Sequence, residues 1–286
     1  MSSDRPIEFT KENIDTYLKE VAKEYKKQLS KNMPAEMMLI GGASVLINYG
    51  FRDMTTDIDA IIQAATAMKD VINRVGDKCH LPNGWLNQDF KNTDSYSPKL
   101  LQFSKHYKIY AKVLTVRTVA AEYLVAMKLR SGRQYKSDLS DVLGILAEHE
   151  KKGSPITLEQ IQKAVSDLYG SWDALSEASR NFIMNAMNDG HFNDLYMKAV
   201  AGEKETKELL VEFEKKYPGK TKTANVDSIV GNLQKKTNRA SILADLRKKK
   251  TDNGSNECFH SFRSNDRHCS SHCNYSHSLI LLPLVQ

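Results

Sequence analysis

Residues 37–62 read M-M-L-I-G-G-A-S-V-L-I-N-Y-G-F-R-D-M-T-T-D-I-D-A-I-I, and no other stretch limits the possible folds so tightly. Met37 to Ile40 form a short, continuously apolar run, the pattern of a buried strand. The run ends in Gly41-Gly42, where the backbone bends sharply and comes close to other groups because neither residue has a Cβ. Ala43 to Tyr49 then read as a short helix, with Gly50 at the position of a left-handed cap. Beyond a polar turn, Asp57-Ile58-Asp59 opens a second apolar run, Ala60 to Ile62. Residues i and i+2 of a strand share a face, so Asp57 and Asp59 project together while Ile58 turns into the core.

Two carboxylates side by side at the start of a buried strand repel each other and need a compensating cation or some other specific purpose. Mg²⁺ is the natural one, since hard cations prefer carboxylate oxygens. The Gly-Gly turn leading into a helix N-terminus supplies free backbone N–H groups suited to phosphate. A Gly-Gly pair alone is an ordinary turn, and Asp-Ile-Asp alone a solvated strand end. In this order, with apolar runs on either side, they point to a nucleoside triphosphate and a metal.

Gly41, Gly42, Ala43 and Ser44, followed by Asp57 and Asp59, resemble the hallmark of the DNA polymerase β-like nucleotidyltransferases: Gly-Gly or Gly-Ser on a short helix, then Asp-x-Asp on the next strand. Arg52, Thr55 and Thr56 look like the approach to the first aspartate in the AbiEii-like and minimal nucleotidyltransferase branches. Trp85-Leu86-Asn87 with a following acidic residue, the run Ala121 to Arg130, and Arg133 to Asp141 are similar to an uncharacterised family of this superfamily, a domain of unknown function. That family pairs Lys with Asp where Ser137 here separates Lys136 from Asp138. The resemblance implies attack by an acceptor hydroxyl on the α-phosphate of an NTP, with release of pyrophosphate. It implies Asp57 and Asp59 as catalytic ligands of two Mg²⁺ (or Mn²⁺) ions, and Gly41, Gly42 and Ser44 as holders of the β- and γ-phosphates. Arg52, Lys128 and Arg133 are further nucleotide-binding candidates. The acceptor would be tRNA or protein, and the AbiEii-like likeness brings a cognate antitoxin in as a partner. A nucleotide-binding or interaction module without catalysis is the alternative. The superfamily adds a third carboxylate from a neighbouring strand. Leu100–Ser104 and Lys108–Val116, read as strands, contain none, and Asp89 and Glu122 are the nearest substitutes.

The chain of 286 residues is 41% hydrophobic and 27% charged, the composition of a globular protein. Its net charge of +6 favours anionic ligands but is too small to argue for nucleic acid by itself. Met1 to Thr10 is polar rather than a signal peptide, and the apolar run Leu279 to Val285 is too short to span a membrane. One cysteine, Cys79, lies in the body of the chain, so no disulfide framework is expected and a reducing cytoplasm fits.

The expected fold is α/β: a small mixed sheet with flanking helices over residues 35–150, an N-terminal packing helix within 1–34, and an all-helical region over 151–250. Thr10 should cap a helix over 11–29 whose apolar stripe is Ile14, Tyr17, Leu18, Val21, Tyr25 and Leu29. Residues 64–75 read as a helix stopped by Gly76, and 81–98 as a loop anchored by Trp85. The segments 100–104 and 108–116 read as strands turning at Lys105-His106. Thr118 should cap a helix over 119–130, stopped by Gly132. Asp138 and Asp141 suit the first turn of the next helix by its dipole, although Lys128, Arg130 and Arg133 nearby could equally hold a triphosphate. Thr157 and Gln160 form a capping box. Residues 172–187 and 193–217 look helical, and 226–247 reads as a basic amphipathic helix. From Thr251 Ser, Asn, His and Cys dominate without apolar periodicity, so 251–286 is expected to stay outside the fold.

Overall fold

The computed structural model describes residues 8–29, 33–133, 136–222, 225, 226, 228–233 and 235. All but Lys235 belong to the first of two compact units, Met1–Gln234. The expected basic helix over 226–247 falls largely outside these residues, and the segment 251–286 wholly so, as do Gln134 and Tyr135.

Helix α1 spans Lys11–Gln28, and Thr10 caps it in a box with Asn13. Strand β1 (Ala35–Leu39) leads into α2 (Gly41–Asn48) and then β2 (Ile58–Gln63). Helix α3 (Met68–Cys79) and the two-residue β3 (Leu86–Asn87) follow, then β4 (Ser104–Tyr110) and β5 (Leu114–Val119). The remaining helices are α4 (Ala121–Ser131), α5 (Asp138–Lys151), α6 (Leu158–Tyr169), α7 (Glu177–Asp189) and α8 (Phe192–Lys216).

The five strands lie in the order β3-β2-β1-β5-β4. Strand β1 pairs antiparallel with β2 and parallel with β5; β3 adds parallel to β2, and β4 antiparallel to β5. The sheet is therefore mixed, as expected. Its two faces feed two cores. Met37, Leu39, Ile58, Ala60, Leu114 and Val116 pack with α1 and α3. Met38, Ile40, Ile61 and Val119 pack with α4 to α7. Strand alternation places Asp59 on the same face as Ile61, beneath the second helical layer.

Several boundaries differ from the sequence reading. Helix α2 ends in an extended cap at Tyr49 (φ −129°), and Gly50 is not left-handed; the positive φ, +58°, lies at Gly41 instead. Gly76 does not stop α3 but lies inside it, because a Cβ there would come within 3.0 Å of the Trp85 indole nitrogen. That indole donates to the Ile72 carbonyl at 3.2 Å, and His80 takes the left-handed cap. The segment expected as loop around Trp85 contributes β3. The β4–β5 turn falls at Ala111-Lys112, both left-handed, so Lys105 and His106 lie within β4 and Leu100–Phe103 is 3₁₀. Thr118 is drawn into β5 opposite Leu39, so the α4 cap is Ala120 and has no side-chain bond. Gly132 does stop α4 in the left-handed region, and the Thr157–Gln160 box opens α6.

Candidate functional site

The site forms where β1, α2 and β2 meet. The Ile40 N–H donates to the Asp59 carbonyl at 2.9 Å, which fixes the start of the glycine turn against the start of β2. Gly41 then takes its left-handed conformation, which a side chain disfavours. A Cβ on Gly41 would lie 3.7 Å from Asp59 Oδ2, so this backbone runs directly past the carboxylate. At Gly42 a Cβ would meet Thr55 Oγ1 at 2.6 Å and Arg52 Nη2 at 3.0 Å. The absent side chain is therefore what lets the 52–55 segment close over the turn.

Asp57 is exposed and Asp59 half-buried. Burial, and after it the charge of Asp57, pushes the Asp59 carboxyl up to about 6 from its ordinary 3.8; Asp89 adds to this, while Lys136 and Arg133 oppose it. Two carboxylates and two basic groups thus act on Asp59 at this end of the sheet. Asp89 arrives there because β3 pairs with β2, Asn87 opposite Asp59, and the Asn87 side chain then accepts from the Asp89 N–H at 2.8 Å. Of the two substitutes considered for the third carboxylate, the pairing of β3 brings Asp89 into the field of Asp59. Glu122 lies on the first turn of α4, and its charge acts on Tyr49 and Tyr123. The only sequence signal for Asp89 was its place two residues after Trp85-Leu86-Asn87, in a stretch too short and polar to read as a strand.

The basic candidates separate into two groups. Lys128 is 6% exposed, and its ammonium lies 2.9 Å from Asp138 Oδ1 and 2.8 Å from Asp141 Oδ2. Burial disfavours its charge, but the two carboxylates outweigh that and raise its pKa. Burial likewise opposes ionisation of Asp138, yet Lys128 and Arg133 hold it well below the usual carboxylate range. Arg133 Nε reaches Asp138 Oδ2 at 2.8 Å while its charge also acts on Asp59. Arg52 donates from Nη1 to Asp141 Oδ2 at 2.5 Å and from Nε to the Met54 carbonyl at 3.0 Å. Asp138 and Asp141 therefore sit in the first turn of α5 and also tie together Arg52, Lys128 and Arg133. Ser44 is fully buried, and its hydroxyl accepts from the Val119 N–H at 3.2 Å, joining α2 to β5. The fold thus brings Gly41, Gly42, Arg52, Asp57, Asp59 and Arg133 to one region and places Ser44 and Lys128 in its interior.

A glycine turn at a helix start thus lies against Asp59 at the start of the adjacent strand, with Asp57 two residues before it. Residues 16–150 match a nucleotidyltransferase family. It is described as a nucleotidyltransferase of unknown function (DUF6036), and the matched span runs from within α1 almost to the end of α5. It includes every residue of the site, and it supports nucleotidyltransferase chemistry. No curated protein and no solved structure matched the chain.

Among the described residues, no three His, Cys, Asp or Glu side chains converge to hold a metal by themselves. The donor set still suits Mg²⁺, which is commonly bound through one or two carboxylates with water and substrate phosphate completing the shell. No helix among the described residues is long and apolar enough to cross a membrane.

Proposed function

We propose that this chain transfers a nucleoside monophosphate from an NTP to an acceptor hydroxyl, with Asp57 and Asp59 holding two Mg²⁺ (or Mn²⁺) ions. The observation that carries this reading is the glycine turn at the start of α2 running directly past the Asp59 carboxylate, where a Cβ on Gly41 would lie 3.7 Å from Oδ2. In keeping with it, burial and then the charge of Asp57 push the Asp59 carboxyl up to about 6. A site that destabilises its own negative charge in this way is poised to take up cations. The bound ions would neutralise charge on the triphosphate and lower the pKa of the attacking hydroxyl.

The chain's own residues divide the remaining work. Backbone N–H groups at Gly41 and Gly42 would hold the β- and γ-phosphates, helped by the positive end of α2. Arg133 and Lys136 balance charge from the α4–α5 connection. Arg52 acts from beneath, holding the turn in place through Asp141. The acceptor oxygen attacks the α-phosphorus, the bond to the β-phosphate bridging oxygen breaks, and pyrophosphate leaves. The hydroxyl proton passes to Asp89, the carboxylate outside the metal pair. We propose a hydroxyl of tRNA or protein as the acceptor and, on the AbiEii-like resemblance of the motif alone, a cognate antitoxin as a partner.

Calorimetric titration with each of the four NTPs in Mg²⁺ tests the site. The wild type should bind at least one NTP in a metal-dependent manner, and Asp57→Asn and Asp59→Asn should each lose that dependence. Metal-dependent binding that survives both substitutions would place the site elsewhere. Binding without transfer to any acceptor would favour the inactive-module alternative.

A further inference from the structure

Residues 49–56 connect the two halves of the site, running from the end of α2 to Asp57, and they form no helix or strand of their own beyond a backbone bridge between Thr55 and Phe9. Side chains from α5 and α8 hold this connection. Glu148 Oε2 accepts from the Gly50 N–H at 3.1 Å, and Asp141 holds Arg52. The Phe51 ring lies over Gly144 of α5, where a Cβ would come within 2.6 Å of it. From α8, the Tyr196 hydroxyl donates to the Phe51 carbonyl at 3.0 Å, and the two rings meet edge to face with centroids 5.5 Å apart. About two turns further along α8, Glu203 accepts from both the N–H and the hydroxyl of Ser140, at 3.1 and 2.6 Å. Ser140 is the neighbour of Asp141, which grips Arg52.

Helix α8 lies wholly outside residues 16–150, the span matched to the nucleotidyltransferase family. We infer that Tyr196 and Glu203 are positioning residues of the nucleotide site, acting through the 49–56 connection; this rests on the reading of Gly41, Gly42, Asp57 and Asp59 as that site. Asp59 is fixed by its strand, whereas exposed Asp57 sits at the free end of the connection. The separation of the two carboxylates, and the seat of Arg52 beneath Gly42, therefore depend on how firmly the connection is held. Misplacement of a reacting group by about 1 Å can lower a rate by around 100-fold, so a remote clasp of this kind has kinetic consequences.

The first test is Tyr196→Phe, which removes only the bond to the Phe51 carbonyl and leaves the ring contact. A hydrogen bond worth about 0.5–1.5 kcal/mol corresponds to roughly 2- to 10-fold easier opening. Amide exchange across 49–56 should accelerate by that factor while α6 and β4 keep their wild-type exchange. The Kd or KM of whichever Mg²⁺–NTP the wild type binds should rise severalfold. Glu203→Ala should act in the same direction, and Glu203→Gln, whose carbonyl still accepts the Ser140 N–H, should restore most of the loss. Unchanged exchange over 49–56 in Tyr196→Phe overturns the inference, as does faster exchange with wild-type nucleotide parameters. A wild type that binds none of the four Mg²⁺–NTPs defeats the functional reading instead, and the exchange result then decides the clasp alone.

Discussion

Replacing Asp59 with Asn removes a carboxylate that is disfavoured first by burial and then by the charge of Asp57, while keeping its size. The Asp59 carboxyl is pushed from 3.8 to about 6. At about 1.36 kcal/mol per pKa unit, the charged form would be disfavoured by at most about 3 kcal/mol. Asp59 is only half-buried, and solvent screening reduces this to about 1–2 kcal/mol. The folded state holds the proton more tightly than the unfolded state, so without metal this group's contribution to stability is largest below pH 4. It falls as pH rises through about 6 and stays low above that. Asp59→Asn should therefore melt about 2–8 °C above wild type at pH 8 without metal, using about 2–4 °C per kcal/mol for a chain of this size. The gap should close below pH 4. Saturating Mg²⁺–NTP should reverse the order, since ligand at about 100 times its Kd adds about 2.7 kcal/mol to wild type and little to the variant. Thermal melts from pH 4 to pH 8, with and without ligand, check both halves. A metal-free Asp59→Asn protein less stable than wild type at pH 8 would show that the carboxylate is a structural group, and the argument from repulsion would fail.

Gly41→Ala should cost about 1–2 kcal/mol by forcing a side chain into the left-handed region, with a matching fall in melting temperature. Gly42→Val should leave a folded protein that no longer binds Mg²⁺–NTP by calorimetry, because its side chain displaces Thr55 and Arg52 from the turn. Asp89→Asn should keep NTP affinity within about 10-fold and lower kcat about 100- to 10,000-fold, the range for losing a general base, in a transfer assay. Lys128→Met should destabilise by about 3–5 kcal/mol in a denaturant melt, since it leaves Asp138 and Asp141 buried with one cation fewer.

What the sequence made legible was mainly local. The Thr10 and Thr157 caps, the β1–glycine turn–α2–β2 sequence and the helices α6 to α8 all follow from patterns spanning a few residues. The misplaced elements are those decided by distant partners. Gly76 looked like a stop because glycine usually is one, yet here it makes room for an indole from nine residues further on. Ala111 and Lys112 carry none of the glycine or asparagine that marks a left-handed hairpin turn, so the sequence pattern puts the turn at Lys105-His106 instead. Asp57 and Asp59 were readable because a two-residue period puts both on one face. Asp89 reaches the same field only through the β2–β3 pairing, which a two-residue strand does not announce. The buried contacts of Lys128 with Asp138 and Asp141 reach across the end of α4 at Gly132, and charge alone leaves open whether those groups face phosphate or each other.

The central claim is nucleotidyl transfer at the Asp57–Asp59 pair, and the most direct measurement follows the label of the NTP. Purified wild-type protein is incubated with Mg²⁺ and each NTP labelled at the α- or the γ-phosphate, together with a cell extract as the source of acceptors. Transfer should carry the α-label onto RNA or protein, release the γ-label as pyrophosphate, and vanish in Asp57→Asn and Asp59→Asn. Label transferred from the γ-position, or α-label incorporated equally by wild type and both variants, would contradict the account.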